Sequence, residues 1–370
     1  MIQRIAVSAL LISGLAAQAQ SEGGTMPRTL IAGSTMYPRL IRLAHGPSET
    51  NGHLMANTNK NIFRSTDDGR TWEVLTEITA IEGSRERCCA VLWELPQDVG
   101  ELKAGTLLFS GTFSEGTTPA IQVYVSTDEG KTWKYHSTPV KRGGGPHHGL
   151  WEPEFEIAKD GSLAIYWSDE TDPCCSQKLT QMRSTDGVTW KDEVDTIKSN
   201  NQKDRPGMIV VSKLPNGHYF MSYEICGPTY HCFVFSRMSK DGWNWGKPSD
   251  VGRKVVSTTG QYLAHAPNNH YIPSNGYILL SGQILFEADG KTSKDNGSLL
   301  FVSNKRNPLK AWTTAPAPVP IPGAYDNPCP NYSSALLPTL DGKHVIEIAS
   351  DFNEQHKCTV YEGILPLPQK

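Results

Sequence analysis

Short apolar runs separated by polar turns follow one another along most of the chain. Residues 121–125 (IQVYV) are typical, because β-branched and aromatic side chains dominate a stretch only a few residues long. Runs of this length, bounded by Gly, Pro, Asp and Ser, indicate β-strands rather than long helices. The 33 glycines, 25 prolines and 9 tryptophans agree with a fold made of many strands and tight turns.

One turn motif recurs at a nearly constant interval. The segment 65–72 (STDDGRTW) returns as 126–133 (STDEGKTW), and shorter forms occupy 184–190 (STDGVTW) and 239–245 (SKDGWNW). The first serines are about 55–61 residues apart, which indicates one structural unit repeated along the chain. Asp and Ser side chains bond to nearby amides in such turns, and Gly supplies the positive φ. We therefore interpret these aspartates as structural turn residues, not as metal ligands or catalysts.

The repeats predict six units that together make an all-β fold. Four units contain four strands each, a fifth is degenerate, and the sixth has only three strands; they cover 37–75, 89–136, 152–192, 207–247, 269–314 and 332–365. Residues 29–32 precede the first unit and can supply the missing strand. The prediction is a single domain, 20–370, folded as a six-bladed β-propeller of four-stranded antiparallel blades. The N-terminal strand would close this ring and so remove exposed sheet edges.

The first residues have the features of an export signal. Arg4 precedes an apolar stretch at 5–16, and Ala17-Gln18-Ala19 fits a cleavage site. We expect 1–19 to be removed near Ala19, giving a secreted or periplasmic protein. The apolar stretch is too short to span a membrane. A formal net charge of −3 gives no broad attraction to nucleic acid or to an anionic membrane, and we expect a monomer.

Eight cysteines in an exported chain indicate disulfides. Cys226 and Cys232 flank a Gly-Pro turn and can close a hairpin, and Cys329 and Cys358 can tie the last unit together. The adjacent pairs 88–89 and 174–175 could be linked to each other, although the sequence leaves the connectivity open. No paired zinc-ligand spacing occurs, so we expect no metal and no cofactor.

Candidate functional residues come from the start of the first strand and the end of the second strand of each unit. In a propeller these positions meet at one face around the central channel. Carboxylates combined with aromatic side chains favour cleavage of a glycosidic bond, in which one acid protonates the leaving oxygen while the other attacks or activates water. The candidates are Arg39, Trp151, Glu152, Asp169, Glu170, Arg205, Tyr223, Glu224, His265, Tyr325 and Tyr332.

Each candidate also has a structural interpretation. A glutamate at a strand end is often solvated or paired with an arginine, and Arg39 and Arg205 can form ion pairs inside the channel. Glu154 shares the face of Glu152 in a regular strand, so it is an alternative acid. Asp169 and Glu170 are expected to bond channel groups or sugar hydroxyls.

The four turn copies resemble the Asp-boxes, or BNR repeats, of sialidase-type six-bladed propellers. Sialidases bind the substrate carboxylate with three arginines and use a tyrosine nucleophile assisted by a glutamate. Arg39 and Arg205 resemble the first two arginines. Residues 262–267 (YLAHAP) offer no third one.

A closer resemblance is to glycoside hydrolase family 93, the exo-acting α-L-1,5-arabinanases. It rests on the segments 151–153 (WEP), 166–170 (YWSDE), 205–208 (RPGM) and 223–227 (YEICG). The resemblance implies a retaining enzyme with Glu152 as acid/base and Glu224 as nucleophile. Tyr332 would stand near the nucleophile, with Tyr325 as the second choice.

The expected function is thus exo-cleavage of α-1,5-L-arabinan or its oligomers by a glycosidase whose partner is an oligo- or polysaccharide. A sialidase-like hydrolase of a sugar acid is one alternative. A non-catalytic glycan-binding propeller is the other.

Overall fold

The computed structural model describes residues 25–31, 36–144, 148–304, 307–310 and 312–368. These ranges contain twenty-six β-strands and no α-helix, so no helix there is long and apolar enough to cross a bilayer. The predicted signal peptide, 1–19, lies outside the described residues.

The strands form six antiparallel sheets, the blades of a propeller. Blade six includes the N-terminal strand β1 (Thr25–Ile31). Blade one contains β2 (Pro38–Arg42), β3 (Leu54–Thr58), β4 (Asn61–Ser65) and β5 (Glu73–Glu77). Blade two contains β6 (Ser84–Glu94), β7 (Leu107–Glu115), β8 (Thr118–Ser126) and β9 (Lys134–Lys141). Blade three contains β10 (Leu150–Ile157), β11 (Leu163–Asp169), β12 (Lys178–Ser184) and β13 (Lys191–Ile197).

The remaining strands complete the ring. Blade four contains β14 (Arg205–Lys213), β15 (Tyr219–Cys226), β16 (Phe233–Ser239) and the short β17 (Arg253–Lys254), and is extended by β18 (Tyr262–Ala264) and β21 (Ile284–Phe286). Blade five contains β19 (Asn268–Ile272), β20 (Tyr277–Ser281), β22 (Leu299–Val302) and β23 (Thr313–Pro316). Blade six contains β24 (Ala335–Pro338), β25 (His344–Phe352), β26 (Cys358–Pro366) and β1.

The first strands of the blades form the inner ring around the channel, since β2, β6, β10, β14, β19 and β24 each contact the next and β24 contacts β2. Six apolar clusters fill the spaces between neighbouring blades. Strand β1 pairs with β26, with Arg28 opposite Glu362. The predicted closure by the N-terminal strand is therefore confirmed.

The repeated turn has the predicted structural role. The Asp67 carboxylate accepts hydrogen bonds from the backbone N–H of Thr71 at 2.8 Å and from its hydroxyl at 2.6 Å, and Ser65 Oγ accepts one from Gly69 at 2.9 Å. Asp128 repeats these bonds in blade two. Because the threonine is bonded within the turn, the fourth strands of blades one and two begin two residues later than predicted.

Blade four departs from the predicted pattern. Its fourth strand was expected at 243–247, but the chain turns there because Ser239 Oγ donates to the Asn244 carbonyl at 2.7 Å and Trp245 packs into the core beside blade three. The short β17 takes the outer position instead. The predicted strand 277–285 is divided into β20 and β21, and β21 pairs with β18.

All eight cysteines form disulfides. The bonds Cys226–Cys232 and Cys329–Cys358 are confirmed. The suggested link between the two adjacent pairs is wrong, because Cys88 bonds to Cys89 and Cys174 bonds to Cys175. In each adjacent pair the two cysteines bond to each other, so neither pair links blade two to the loop after β11.

Candidate active site

A non-glycine residue with a left-handed backbone lies at or near the start of every inner strand. These residues have φ between 45° and 64°: Tyr37, Cys89, Glu152, Met208, His265 with Ala266, and Asn331 with Ser333. In β6, β10 and β14 the strand pairing shifts register at this point. Such an irregularity re-aims a side chain. Each left-handed residue costs about 1–2 kcal/mol, a strain that is typical of functional sites.

Several of these residues meet at one end of the channel. Tyr37, Cys89, Met208 and Ala266 form a buried apolar cluster, against which Met36, Cys88 and Tyr332 pack. We call these seven residues the mouth cluster. They come from blades one, two, four, five and six, so the cluster closes this end of the channel. Blade three contributes Glu152 at the equivalent position.

The Glu152 carboxylate is held by two donors from neighbouring strands. Its Oε2 accepts a hydrogen bond from Ser168 Oγ at 2.6 Å and one from the Met208 N–H at 3.0 Å. Burial raises the pKa of Glu152, and these two hydrogen bonds act in the opposite direction.

Glu224 is the second buried carboxylate of the site. It lies on β15 opposite Gly207 of β14, next to Met208. Its Oε2 accepts a hydrogen bond from the Ala266 N–H at 2.6 Å. Burial, followed by the negative charge of Glu152, raises the pKa of Glu224 to about 8. Glu152 bonds to the N–H of Met208, and Glu224 is paired with Gly207, the residue before Met208, so the two carboxylates belong to the same part of the site.

Tyr332 packs against the mouth cluster, beside Met208. Its hydroxyl lies 3.9 Å from Met208 Sδ, and its ring centroid is 6.3 Å from that of Tyr37. Burial raises the pKa of Tyr332 well above its usual value, and the charges of Glu152 and Glu224 raise it further. The structure thus brings together the three residues that the sequence analysis identified as catalytic.

Arg205 and Glu170 form an ion pair beside this centre. Arg205 also donates to Gln177 Oε1 at 2.7 Å, and Glu170 accepts from the Gly149 N–H at 2.9 Å. Burial acts to raise the pKa of Glu170, but hydrogen bonds from Arg205 and Trp151 outweigh it and lower that pKa. Arg205 is therefore a paired cation at the rim.

Arg39 and Glu154 line the channel rather than joining the two carboxylates at the mouth. They border a cavity of about 520 Å³ that also includes Glu156 and Lys213. Arg39 is buried, stacks 3.9 Å from the Tyr37 ring centroid and donates to Ser333 Oγ at 3.0 Å. Burial raises the pKa of Glu154 to about 8, although Arg39 acts to lower it. The register shift after Trp151 separates Glu154 from Glu152.

Two candidates have other bonding partners. Asp169 is fully buried and accepts hydrogen bonds from Arg142 Nη2 at 2.5 Å and from the Thr171 N–H at 2.7 Å. Tyr223 is also fully buried, packs in the core between blades three and four, and donates its hydroxyl to the Val251 carbonyl at 2.6 Å. Neither side chain presents surface to a ligand.

The other candidates lie around the rim. Tyr325 is 51% exposed, and Trp151 is partly exposed, with the Arg87 guanidinium 5.4 Å from its ring centroid. His265 lies between two carboxylates, with Nδ1 3.8 Å from Glu224 and Nε2 3.6 Å from Asp326. Its ring is also close to Cys226 and Cys232. Those two sulfurs are bonded to each other, so they are not thiolate ligands.

The sequence analysis missed several groups that shape the site: Tyr37, Cys88, Cys89, Ser168, Met208, Ala266 and Asp326. Ser168 was visible within the segment 166–170, and Asp326 directly follows Tyr325. Met208 and Ala266 act through backbone N–H groups, which every residue type except proline carries, so no sequence signal identifies them.

No family model and no curated protein matches this chain, but solved structures do. An α-L-arabinanase of Penicillium chrysogenum complexed with arabinobiose is 27% identical with a TM-score of 0.77, covering 93% of this chain and 98% of that one. An α-L-arabinofuranosidase from Fusarium graminearum, solved with an iminosugar inhibitor, is 25% identical with a TM-score of 0.75, covering 93% and 97%. The glycoside hydrolase family 93 arabinofuranosidase of that fungus with arabinobiose, 24% identical with a TM-score of 0.76 over 93% and 98%, shares the fold.

Proposed function

We propose that this protein is a retaining glycoside hydrolase that cleaves α-1,5-linked arabinan or its oligomers from a chain end. The observation that carries the proposal is the meeting of Glu152 and Glu224 at the mouth cluster, each held by a backbone N–H from a neighbouring blade or loop. The similarity to an arabinanase complexed with arabinobiose supports the choice of sugar.

The electrostatics favour Glu152 as the nucleophile and Glu224 as the acid/base. Burial raises the pKa of both carboxyl groups, but Glu152 accepts two hydrogen bonds that act in the opposite direction, whereas Glu224 accepts one and also feels the charge of Glu152. Glu224 is therefore the carboxyl group that more readily holds the proton. A retaining enzyme needs one carboxyl group in each state before the substrate binds. This assignment is the reverse of the one implied by the family resemblance.

The reaction then proceeds in two displacements. The Glu152 carboxylate attacks the anomeric carbon and forms a glycosyl ester, while Glu224 gives its proton to the departing oxygen. Glu224 next takes a proton from water, whose oxygen attacks the anomeric carbon and releases Glu152. Such displacements require carboxyl groups about 5–5.5 Å apart.

Tyr332 is proposed to position the nucleophile and the sugar. Its raised pKa keeps the phenol protonated, so the hydroxyl is a hydrogen-bond donor at neutral pH. Trp151, Arg205, Glu170 and His265 are proposed to bind the substrate at the rim, with Tyr325 further out. The ion pair with Glu170 fixes the direction of the Arg205 side chain.

The charge around Glu224 favours a neutral sugar over a sugar acid. Where a sialidase-like site would need a third arginine, this protein has His265, and Asp326 lies 3.6 Å from that ring. A substrate carboxylate would approach Asp326, Glu152 and Glu224, while Arg205 is already paired with Glu170. The sialidase alternative is therefore disfavoured on electrostatic grounds.

Export also fits this proposal, because four disulfides are typical of proteins that fold in oxidising compartments. The direct experiment is to incubate the purified protein with linear arabino-oligosaccharides and sialosides and to follow the first product by NMR. We expect a short α-configured product from the arabinan oligomers alone. Initial release of the β-anomer would contradict retention, and binding without turnover would favour a glycan-binding propeller.

A further inference from the structure

The Cys88–Cys89 disulfide lies in the mouth cluster, beside the proposed catalytic groups. It joins neighbouring residues in the middle of the inner strand β6 and closes a small ring that includes their peptide bond. Cys89 is buried and has a left-handed backbone, whereas Cys88 is partly exposed. The covalent ring thus joins one buried and one partly exposed member of the mouth cluster.

Contacts on one side place this disulfide next to blade three. Cys88 is paired in register with Thr112 of β7. The Thr112 hydroxyl donates to the Leu150 carbonyl at 2.7 Å, immediately before Trp151 and Glu152. The adjacent Arg87 guanidinium lies 5.4 Å from the Trp151 ring centroid.

On its other side the disulfide faces blades one and six. Cys88, Cys89 and Tyr332 belong to the same cluster, in which Tyr37 packs against Tyr332. The bond is therefore situated between the part of β10 that bears Glu152 and the ring of Tyr332.

A sugar in this site needs an apolar contact as well as polar ones. The carboxylates and the phenol can form hydrogen bonds with its hydroxyl groups and act on its anomeric carbon. The C–H groups of a furanose ring, however, require a non-polar surface. Tyr37, Met208 and Ala266 are at most 2% exposed and cannot supply it. The partly buried members that remain are Met36, Cys88 and Tyr332. Of these, Cys88 lies beside the strand that bears Glu152, through its register partner Thr112.

We propose that the Cys88–Cys89 disulfide forms the apolar wall of the sugar-binding subsite in front of Glu152, opposite Tyr332. This inference rests on the proposed function. It gives the disulfide a role in substrate binding and specificity, in addition to fixing the left-handed backbone at Cys89.

Ligand protection tests the wall directly. The E224Q variant, which should bind without turnover, is treated with a phosphine reductant and iodoacetamide, with and without arabinobiose, and thiol labelling is followed by peptide mass spectrometry. At a concentration of arabinobiose about ten times its Kd, labelling of Cys88 and Cys89 should slow about tenfold. The Cys174–Cys175 disulfide has the same linkage but lines a separate surface pocket with Asp195 and Lys198, so its labelling rate should not change.

The outcomes separate this inference from the proposed function. Arabinobiose that binds by calorimetry but leaves labelling of Cys88 and Cys89 undiminished would overturn the inference alone. Absence of arabinobiose binding would overturn the proposed function, and the inference with it.

Paired variants provide an independent measurement. C88S/C89S in the otherwise native chain should raise KM for arabino-oligosaccharides on the order of tenfold, more than it lowers kcat, because a ground-state apolar contact is lost. C174S/C175S should leave KM within about twofold. A C88S/C89S protein with an unchanged melting temperature and the same KM as the native protein would contradict the proposal.

Discussion

The backbone N–H of Met208 lies 3.0 Å from the carboxylate of Glu152, and both residues have left-handed backbones, with φ of 60° and 56°. A left-handed residue on the inner strand of blade four therefore stabilises the carboxylate carried by the inner strand of blade three. Ala266, a left-handed residue just before β19, likewise donates its N–H to Glu224 on the second strand of blade four. We infer that the strained positions around the channel serve to orient the two carboxylates at its mouth.

Exchanging each glutamate for glutamine tests the division of roles. E152Q should abolish turnover of every arabinofuranoside, because no nucleophile remains. E224Q should retain activity on aryl arabinofuranosides, whose leaving groups need no proton, and azide should restore turnover by attacking the glycosyl ester. E154Q is the matched control, since Glu154 lines the channel cavity. The reverse pattern between E152Q and E224Q would assign the roles as the family resemblance implies.

Removing the Ser168 hydroxyl should weaken the nucleophile. Ser168→Ala deletes the 2.6 Å hydrogen bond to Glu152, and bonds to charged groups contribute about 1.5–3 kcal/mol. We expect kcat/KM to fall roughly tenfold to a hundredfold, with the acidic limb of the pH profile displaced to higher pH. Ser162→Ala, which removes a turn hydroxyl elsewhere in blade three, should leave the acidic limb in place. An unmoved acidic limb in the Ser168→Ala protein would refute the role of this hydroxyl.

Two tyrosine variants should have opposite effects. Tyr332→Phe is expected to reduce kcat strongly with little change in the melting temperature, because we propose that its hydroxyl positions the nucleophile and the sugar, and its one hydrogen bond, to Met208 Sδ, is long at 3.9 Å. Tyr223→Phe removes a buried hydrogen bond to the Val251 carbonyl, which should lower the free energy of unfolding by about 1 kcal/mol and leave kcat unchanged. Thermal melts and steady-state kinetics on both proteins distinguish these effects. A kcat loss in Tyr223→Phe would show that this tyrosine acts in the reaction after all.

The contrast between Tyr332 and Tyr223 shows how much of the site could be predicted from the sequence. The spacing of the turn motif predicted six blades and their closure, because each copy marks one repeated hairpin. Glu152 and Tyr332 were identified at the starts of first strands and Glu224 at the end of a second strand, positions that converge on one face, and the family resemblance implied their catalytic roles. Tyr223 and Asp169 were placed there too, but the alternation of side chains along β15 and β11 directs them into the protein.

The left-handed backbones and the disulfides between adjacent cysteines could not be predicted from the sequence, for a physical reason. A left-handed residue is readily anticipated at glycine, but Cys89, Met208 and Tyr37 carry side chains that usually avoid this conformation. The register shift in β10, at the left-handed Glu152, decided that Glu154 faces the channel and Glu152 the mouth. The bond between adjacent cysteines could not be derived from their spacing, because neighbouring cysteines also allow pairing with other segments.

Buried glutamates should make the protein less stable as pH rises. Burial raises the pKa of Glu347 to about 8, so the folded state retains a proton that the unfolded chain loses near its ordinary pKa. This contribution is fully present below about pH 4.5 and is lost as pH rises through about 8, at up to about 1.4 kcal/mol per pH unit. The pKa values of Glu154 and Glu224 are raised as well, so these residues change the stability in the same direction. Thermal melts from pH 5 to 8 should show a falling melting temperature, and E347Q should flatten the slope. A melting temperature that rises with pH would contradict the burial of protonated carboxyl groups.

Trapping the covalent intermediate tests the central claim most directly. The protein is incubated with a 2-fluoro-arabinofuranoside carrying a good leaving group, digested, and examined by tandem mass spectrometry. The account predicts one fluoro-arabinosyl ester, on Glu152. A label on any other residue, or steady release of the leaving group without a labelled peptide, would contradict it.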